Sequence, residues 1–463
     1  MQQTLQTFAK TEKTNKNGFT VISNMPTKTS DLKFIDLFAG IGGTRLGFEN
    51  ACKKNSITPK CVFSSEIKPT AIKVYKSYFG DHQIHGDITQ INTKNIPDFD
   101  FLLAGFPCQA FSSAGKRQGF LDTRGTLFFE VERILREKNP TGFILENVEG
   151  LVNHDKIDKS KKNGRTLETI LGTLNNMGYI TNYKILNTKN FGLAQNRKRI
   201  FIVGLKDKNI NLDDFQKKKS ALKDILENGL PTIESKLTKA LLNYYNIEQL
   251  QGKAIKDKRG GKDNIHSWDI ALKGKITDEQ KNLLNALLKE RRKKHWAEKK
   301  GIKWMDGMPL TVSEISTFFN SKNLINLLDD LVKKGYLKHE HPKELVSKTI
   351  ANGNNVLVRE YRQEKEKGYN IVAGKLSFEF SKILDSESIA PTLVATDLSK
   401  LAVTDNSGLR KLSITEAKRL FGFPDDFNIE LNESDAFDLL GNTVAPPIIE
   451  AIQDRIIKEL GFK

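Results

Sequence analysis

Between residues 34 and 204, five short apolar runs alternate with stretches of helical length, and few folds accommodate that rhythm. Phe34–Phe38 stops at Gly40, Gly42 and Gly43. Cys61–Ser64 ends at Glu66, ahead of a helix predicted from about Pro69 to Phe79. Phe99–Ala104 stops at Gly105-Phe106-Pro107, Gly142–Leu145 at Glu146-Asn147, and Arg199–Val203 at Gly204. Apolar runs this short and continuous are strands buried on both faces, and burial on both faces requires covering helices. The expectation is a doubly wound α/β sheet, mostly parallel, that takes its ligands at the carboxyl ends of the strands. No apolar stretch reaches the roughly 18 residues of a membrane span, and no apolar run behind the first lysines resembles a secretory signal. Three cysteines, Cys52, Cys61 and Cys108, are too few for a disulfide scaffold, so a reduced cytoplasmic setting is expected.

Beyond Gly204 the character changes. The chain carries 73 Lys plus Arg against 56 Asp plus Glu, a net charge of +17, which favours an anionic partner: nucleic acid first, a membrane surface second. Residues 205–380 hold 35 of those basic residues against 24 acidic ones, and the densest run lies from Lys289 to Lys303. That asymmetry marks a separate basic module. Within it, residues 278–300 read as helical and 355–380 as strand-like, while Trp268, Trp296 and Trp304 read as core. From about Ile383 the α/β character returns through Pro391-Thr392-Leu393, a helix near Thr415–Phe421, and Gly441-Asn442-Thr443. The expected organisation is a flexible N-terminal extension (1–30), a catalytic domain in two pieces (31–204 and 385–463), and an inserted basic module (205–384).

The glycine turn after the first run places a nucleotide-like ligand over a helix N-terminus. It departs from the dinucleotide fingerprint, because Arg45 stands where the third glycine belongs. Glu66 is placed to accept from a ribose hydroxyl pair and Asp87 from an adenine amino group, although singly each carboxylate fits a surface cap as well. Cys108 lies on a loop just past a strand end, Glu146 ends the adjacent strand, and Arg197 and Arg199 lead into the next. A thiol, a carboxylic acid and guanidinium groups at one sheet edge make a constellation for covalent catalysis.

In this order, Phe34–Gly43, Glu66, Asp87–Thr89, Gly105–Gly115, Asp122–Phe129, Glu146–Val148, Gln195–Arg199 and Gly441–Val444 resemble the motifs of the cytosine-C5 DNA methyltransferases of bacterial modification systems. The resemblance covers roughly residues 33–204 and 385–463. It implies a Rossmann-like S-adenosylmethionine-dependent domain interrupted by a target-recognition domain, with duplex DNA between them. By resemblance, Cys108 attacks C6 of a flipped cytosine, Glu146 engages N3, Arg199 holds O2, and Arg197 contacts the phosphate backbone or the catalytic loop. A raised Glu146 pKa is expected from burial. S-adenosylmethionine would be held by Phe38, Gly40, Gly42, Glu66, Ile67, Asp87, Ile88, Pro107, Asn442 and Val444. Ser112, Arg124 and Thr126 would meet the DNA. The final helices are expected to pack beside the glycine turn. The resemblance further implies no metal, a monomer in the bacterial cytoplasm, and a cognate restriction endonuclease as partner.

Three rivals share part of the pattern. A transfer-RNA-directed relative with the same chemistry carries a shorter, different segment in place of the basic module. A catalytically silent DNA-binding regulator has no need of Cys108, Glu146 and Arg199 together. A nicotinamide-dependent oxidoreductase is disfavoured by Arg45.

Overall fold

The computed structural model describes residues 12–14, 20–22, 31–107, 127–158, 160–303, 307–349, 355–372, 378–393 and 395–462. Within the expected extension, Glu12–Thr14 and Thr20–Ile22 pair as antiparallel strands. The chain divides into two compact units: Met1–Ile225 with Ile389–Thr396 and Ser413–Lys463, and Leu226–Ser388 with Asp397–Leu412.

The first unit begins with β1 (Leu32–Leu37), α1 (Gly43–Lys54), β2 (Pro59–Ser65), α2 (Pro69–Phe79), β3 (Phe101–Gly105), α3 (Leu127–Lys138), β4 (Gly142–Val148), α4 (Arg165–Asn176), β5 (Ile180–Asn187) and β6 (Lys198–Leu205). Its six strands lie in the order β2-β1-β3-β4-β6-β5. The pairs β1–β2, β1–β3 and β3–β4 are parallel, while β6 runs antiparallel to both β4 and β5. Alternate residues feed two cores. Ile35, Leu37, Leu102, Ala104 and Leu145 pack with Phe128, Val131 and Ile134 of α3 and Leu167 and Ile170 of α4. Phe34, Phe101, Leu103 and Ile144 point to the other face, against Phe48 and Ala51 of α1. Both faces being dry, the strands need no polar alternation.

The second unit contains α5 (Lys236–Tyr244), β7 (Ala254–Ile255), β8 (Asn264–Ile265), α6 (Asp278–Glu290), α7 (Leu324–Lys333), β9 (Leu337–Glu340), β10 (Lys343–Thr349), β11 (Asn355–Tyr361), β12 (Gly368–Ile371), β13 (Lys382–Ile383), β14 (Leu401–Asp405) and β15 (Gly408–Lys411). One sheet has the order β8-β7-β13-β14-β15, and β9–β12 and β10–β11 form separate antiparallel pairs. Trp268 and Trp296 are buried with Leu283, Leu287, Leu328 and Leu331 in one core. Trp304 lies outside the described residues.

The unit boundaries differ from the expected ones at three places, one of them the short stretch 385–388, which falls in the second unit. Residues 205–225 stay with the first unit, where Ile210 and Leu212 are buried in its core. Asp397–Leu412 joins the second, because β14 pairs with both β13 and β15.

The chain then returns to the first unit as α8 (Ile414–Phe421), α9 (Glu433–Asn442) and α10 (Pro446–Leu460). Ile448, Ile449, Ile452 and Ile456 of α10 complete the core beneath α1. The approach is close enough that a Cβ on Gly43 would lie 2.1 Å from the Val444 carbonyl oxygen, and one on Gly47 would lie 2.3 Å from that of Pro446. Only hydrogen fits at these two positions, so the final helices do lie beside the glycine turn.

Candidate active site

Five of the residues expected to hold a cofactor, Phe38, Gly40, Gly42, Glu66 and Ile67, follow the carboxyl ends of β1 and β2. Phe38 and Gly40 both adopt left-handed backbone (φ 54° and 55°), which lifts the loop out of the strand line before α1 begins. The Glu66 carboxylate holds that loop in place. Its Oε2 accepts from Gly40 N at 2.7 Å, and its Oε1 accepts from Ile67 N at 2.9 Å and Lys68 N at 2.8 Å. A Cβ on Gly40 would meet nothing within 4 Å, so open space lies over the turn, and Ile67 is 71% exposed beside it. Glu66 N donates to His85 O at 2.9 Å, drawing the following segment alongside. There Asp87 caps a short turn, its Oδ1 accepting from Thr89 N at 3.0 Å and Thr89 Oγ1 at 2.9 Å, whereas Ile88 is buried in the core.

Beneath the turn lies a polar cluster that the sequence reading missed. Asp36, fully buried, accepts from Thr44 Oγ1 at 2.7 Å and from Tyr75 OH at 3.3 Å. Burial pushes its carboxyl up to about 7, against the opposing pull of those hydrogen bonds and of Arg45. Tyr75 OH lies 2.9 Å from Ser64 Oγ, and Arg45 pairs with Glu49 at 2.6 Å. The one available signal was an acid inside the apolar run Phe34-Ile35-Asp36-Leu37.

Glu146 is buried near the end of β4 (9% exposed). In the β4–β6 register Glu146 stands opposite Phe201 and Val148 opposite Arg199, which makes Glu146 and Arg199 diagonal neighbours on one face. Arg199 Nε lies 3.1 Å from Glu146 Oε1. Burial raises the Glu146 carboxyl above its ordinary range, while Arg199 and Arg197 pull it down. Asn147 ties this strand end to the loop after β3: its Nδ2 donates to Phe106 O at 3.2 Å, and its Oδ1 accepts from Val148 N at 2.9 Å. Pro107, half-buried, follows directly. Cys108, Ser112, Arg124 and Thr126 lie outside the described residues.

Gly105 joins the two halves of the site. A Cβ there would lie 3.2 Å from Val444 Cγ2 and 3.6 Å from Glu146 Oε2. Asn442, at the end of α9, is exposed and donates from Nδ2 to Asp438 O at 2.8 Å.

Arg197, for which a phosphate or catalytic-loop contact was expected, stands just before β6. It is buried, and its fork donates to main-chain carbonyls of Leu393 (2.8 Å), Gly441 (3.0 Å) and Thr443 (3.0 Å). With both terminal nitrogens so engaged, it fastens the 389–396 segment and the turn before α10 to the start of β6.

Among the described residues, no three His, Cys, Asp or Glu side chains are grouped to hold a metal, and no helix is long and apolar enough to cross a membrane.

Comparison with known proteins gives a consistent result. Residues 32–458 match the family described as C-5 cytosine-specific DNA methylase. Type II methyltransferase M.NlaIV of Neisseria lactamica is 56% identical over 93% of this chain and 99% of its own length. Type II methyltransferase M.BanI of Aneurinibacillus aneurinilyticus is 41% identical over 91% of this chain and 94% of its own. Among solved structures, a methyltransferase of Entamoeba histolytica superposes with a TM-score of 0.51 at 14% identity, covering 93% of this chain and 99% of that one. The Dnmt2 methyltransferase of S. pombe gives 0.51 at 16% identity over 93% of this chain and 100% of that one. Likeness at that level of identity speaks for the fold alone. The family match spans nearly the whole chain and M.NlaIV is 56% identical over 93% of it, so the chain belongs to the C-5 cytosine-specific DNA methylase family.

Proposed function

We propose that this DNA cytosine-C5 methyltransferase works through Cys108, Glu146 and Arg199 on a cytosine flipped out of duplex DNA. The observation that carries the reading is the buried Glu146 carboxyl, raised by its surroundings and 3.1 Å from Arg199 at the sheet edge where Pro107 leads to Cys108.

Cytosine C6 is a poor electrophile until N3 is protonated or strongly hydrogen-bonded. A protonated carboxyl donates to N3, and the burial that raises the Glu146 carboxyl favours that form against the pull of Arg199 and Arg197. Arg199, fixed against Glu146, supports charge developing at O2. The Cys108 thiolate then forms a bond to C6, and C5 becomes nucleophilic. Loss of the C5 proton to a base later re-forms the double bond and expels the thiolate.

The residues at the ends of β1 and β2 fit S-adenosylmethionine. Open space above Gly40, an exposed Ile67 and the Glu66 carboxylate at the strand end suit an adenosine, and Val444 beside Gly105 links that side to Glu146. When bound, S-adenosylmethionine supplies the methyl group that C5 receives. Phe38 and Ile67 would flank its adenine, Glu66 its ribose, Asp87 its amino group, and Asn442 and Val444 its methionine end. Ile88, being core, would contribute through packing.

Relatives named as Type II methyltransferases support a modification role beside a cognate restriction endonuclease, with a short duplex sequence as target. In that reading the enzyme is a cytoplasmic monomer, the second unit reads the target, and Ser112, Arg124 and Thr126 meet the flanking backbone. The test is transfer of labelled methyl from S-adenosylmethionine to mixed-sequence duplex DNA, mapped by bisulfite sequencing, for the unsubstituted enzyme and Cys108→Ser. Methylation of one short motif, lost in Cys108→Ser, supports the proposal. Transfer that survives in Cys108→Ser overturns it.

A further inference from the structure

The second unit carries a two-stranded ribbon, β10–β11, that among the described residues pairs with no further strand. Its register runs Lys343↔Tyr361, Glu344↔Glu360, Leu345↔Arg359, Val346↔Val358, Ser347↔Leu357 and Lys348↔Val356. Directly opposed residues share a face and successive ones alternate, so the register sorts the side chains into two sets.

One face holds Glu344 and Glu360, with Val346, Val358, Val356 and Lys348. Both carboxylates on it are neutralised: Glu344 pairs with Arg362 at 3.2 Å, and Glu360 with Lys348. Glu344 also accepts from Lys303 N at 3.2 Å, which holds this face towards the rest of the unit. The other face holds Lys343, Leu345, Ser347, Leu357, Arg359 and Tyr361, with no carboxylate. Lys343 sits 4.2 Å over the Tyr361 ring. The Arg359 side chain is exposed and, among the described residues, makes no hydrogen bond or ion pair, and Leu357 beside it is 66% exposed. Leu357 and Arg359 therefore stand open to a partner on this face.

We propose that this face enters the major groove of the target duplex and that Arg359 reads a guanine there. The groove of B-DNA is about 12 Å wide and admits a two-stranded ribbon. Lys343 and Arg359 present positive charge on this face to the phosphates on either side, while Tyr361 OH donates to Glu340 Oε2 at 2.9 Å at its base. A seven-residue strand spans about 23 Å, enough to follow several base pairs. Arg359 matches the O6 and N7 acceptors of guanine with a fork of two donors, and Leu357 offers apolar contact of the kind a thymine methyl accepts. The assignment rests on duplex DNA being the substrate, and it names which part of the second unit supplies sequence specificity.

The test uses the full chain with a duplex library randomised across the target, read by bisulfite sequencing, for the unsubstituted enzyme, Arg359→Ala and Glu360→Gln. Arg359→Ala should lower discrimination at one guanine position about 5- to 150-fold and leave the other positions intact. Glu360→Gln, on the opposite face, should reproduce the unsubstituted profile. An unchanged profile in Arg359→Ala overturns the proposal. A uniform loss across all sequences with a shallower salt dependence also overturns it, since that is the signature of a phosphate contact. No duplex methylation by the unsubstituted enzyme removes the substrate assignment itself, and that outcome is seen before any variant is compared.

Discussion

Asp36 gives the sharpest quantitative handle on the catalytic unit. Its carboxyl, ordinarily at 3.8, is held at about 7 in the folded chain, chiefly by burial. At roughly 1.4 kcal/mol per pH unit, that gap is worth about 4 kcal/mol. The sign follows from proton counting. Above pH 3.8 the unfolded chain has released this proton while the folded chain keeps it up to about pH 7, so the unfolded state binds fewer protons and stability falls as pH rises through the window. The perturbation is Asp36→Asn, which removes the titration and keeps the shape. The amide oxygen can accept from Thr44, and the amide nitrogen can donate to Tyr75 OH, which in turn lies 2.9 Å from Ser64 Oγ. Between pH 5 and pH 8 the stability of the variant relative to the unsubstituted protein should rise by about 3 kcal/mol, most of it below pH 7. Tryptophan fluorescence is the wrong probe, because Trp268, Trp296 and Trp304 all fall in the sequence of the second unit. Hydrogen exchange of the β1 amides, read by mass spectrometry across that pH range, reports the right one. Parallel pH dependences for the two proteins, within about 0.5 kcal/mol, would refute the assignment of a buried neutral Asp36.

Glu146→Gln should lower methyl transfer by about 10²- to 10⁴-fold. Because the raised Glu146 carboxyl is active in its protonated form, the unsubstituted rate should fall as pH rises through its pKa, and that limb should be missing from the variant's profile. Gly43→Ala forces a carbon against the Val444 carbonyl at 2.1 Å and should cost about 1–3 kcal/mol in thermal stability of the first unit. Gly40→Ala faces open space, carries only the strain of φ 55°, about 1–2 kcal/mol, and should weaken cofactor binding in a calorimetric titration if adenosine fills that space. Arg197→Lys keeps the charge but cannot span three carbonyls. It should speed amide exchange in residues 389–396 and 441–445 without changing the sequence methylated.

The sheet was legible because β1, β3 and β4 are dry on both faces, which leaves apolar runs that nothing else explains. The edge strand β5 was missed for the converse reason: Ile180-Thr181-Asn182-Tyr183-Lys184 is only partly covered, so its sequence looks like a loop. The positions of Glu66 and Glu146 near strand ends and of Arg199 at a strand start were legible because sequence spacing locates strand boundaries well. The carbonyl contacts of Arg197 were not legible because spacing gives position and not direction. The neighbouring Arg199 faces Glu146 while Arg197 turns inward to carbonyls contributed by residues far along the chain. Asp36 was hidden for a related reason, since the partners that make an acid tolerable in a core, Thr44 and Tyr75, lie on two different helices. The limits of the inserted unit were blurred because β14 and β15 carry no compositional mark and owe their membership to pairing with β13.

The contact between α1 and α10 also sets a timetable for biosynthesis. Gly43 and Gly47 are met by Thr443, Val444, Pro446, Ile449 and Glu450, near the opposite end of the sequence. The sheet strands, the glycine turn and Glu146 all leave the ribosome with one side of their core unfilled. At about 5–20 residues per second they wait some tens of seconds for the closing helix, while the intervening unit, whose core is its own, is free to fold first. The nascent catalytic half therefore spends that interval with an apolar face open to chaperones. Assembly is a final docking of a late helix onto a waiting sheet, and long-range closure of this kind is the slow class of folding event. An enzyme of this design gains its activity at the end of synthesis rather than gradually, as a switch thrown by its own last helix.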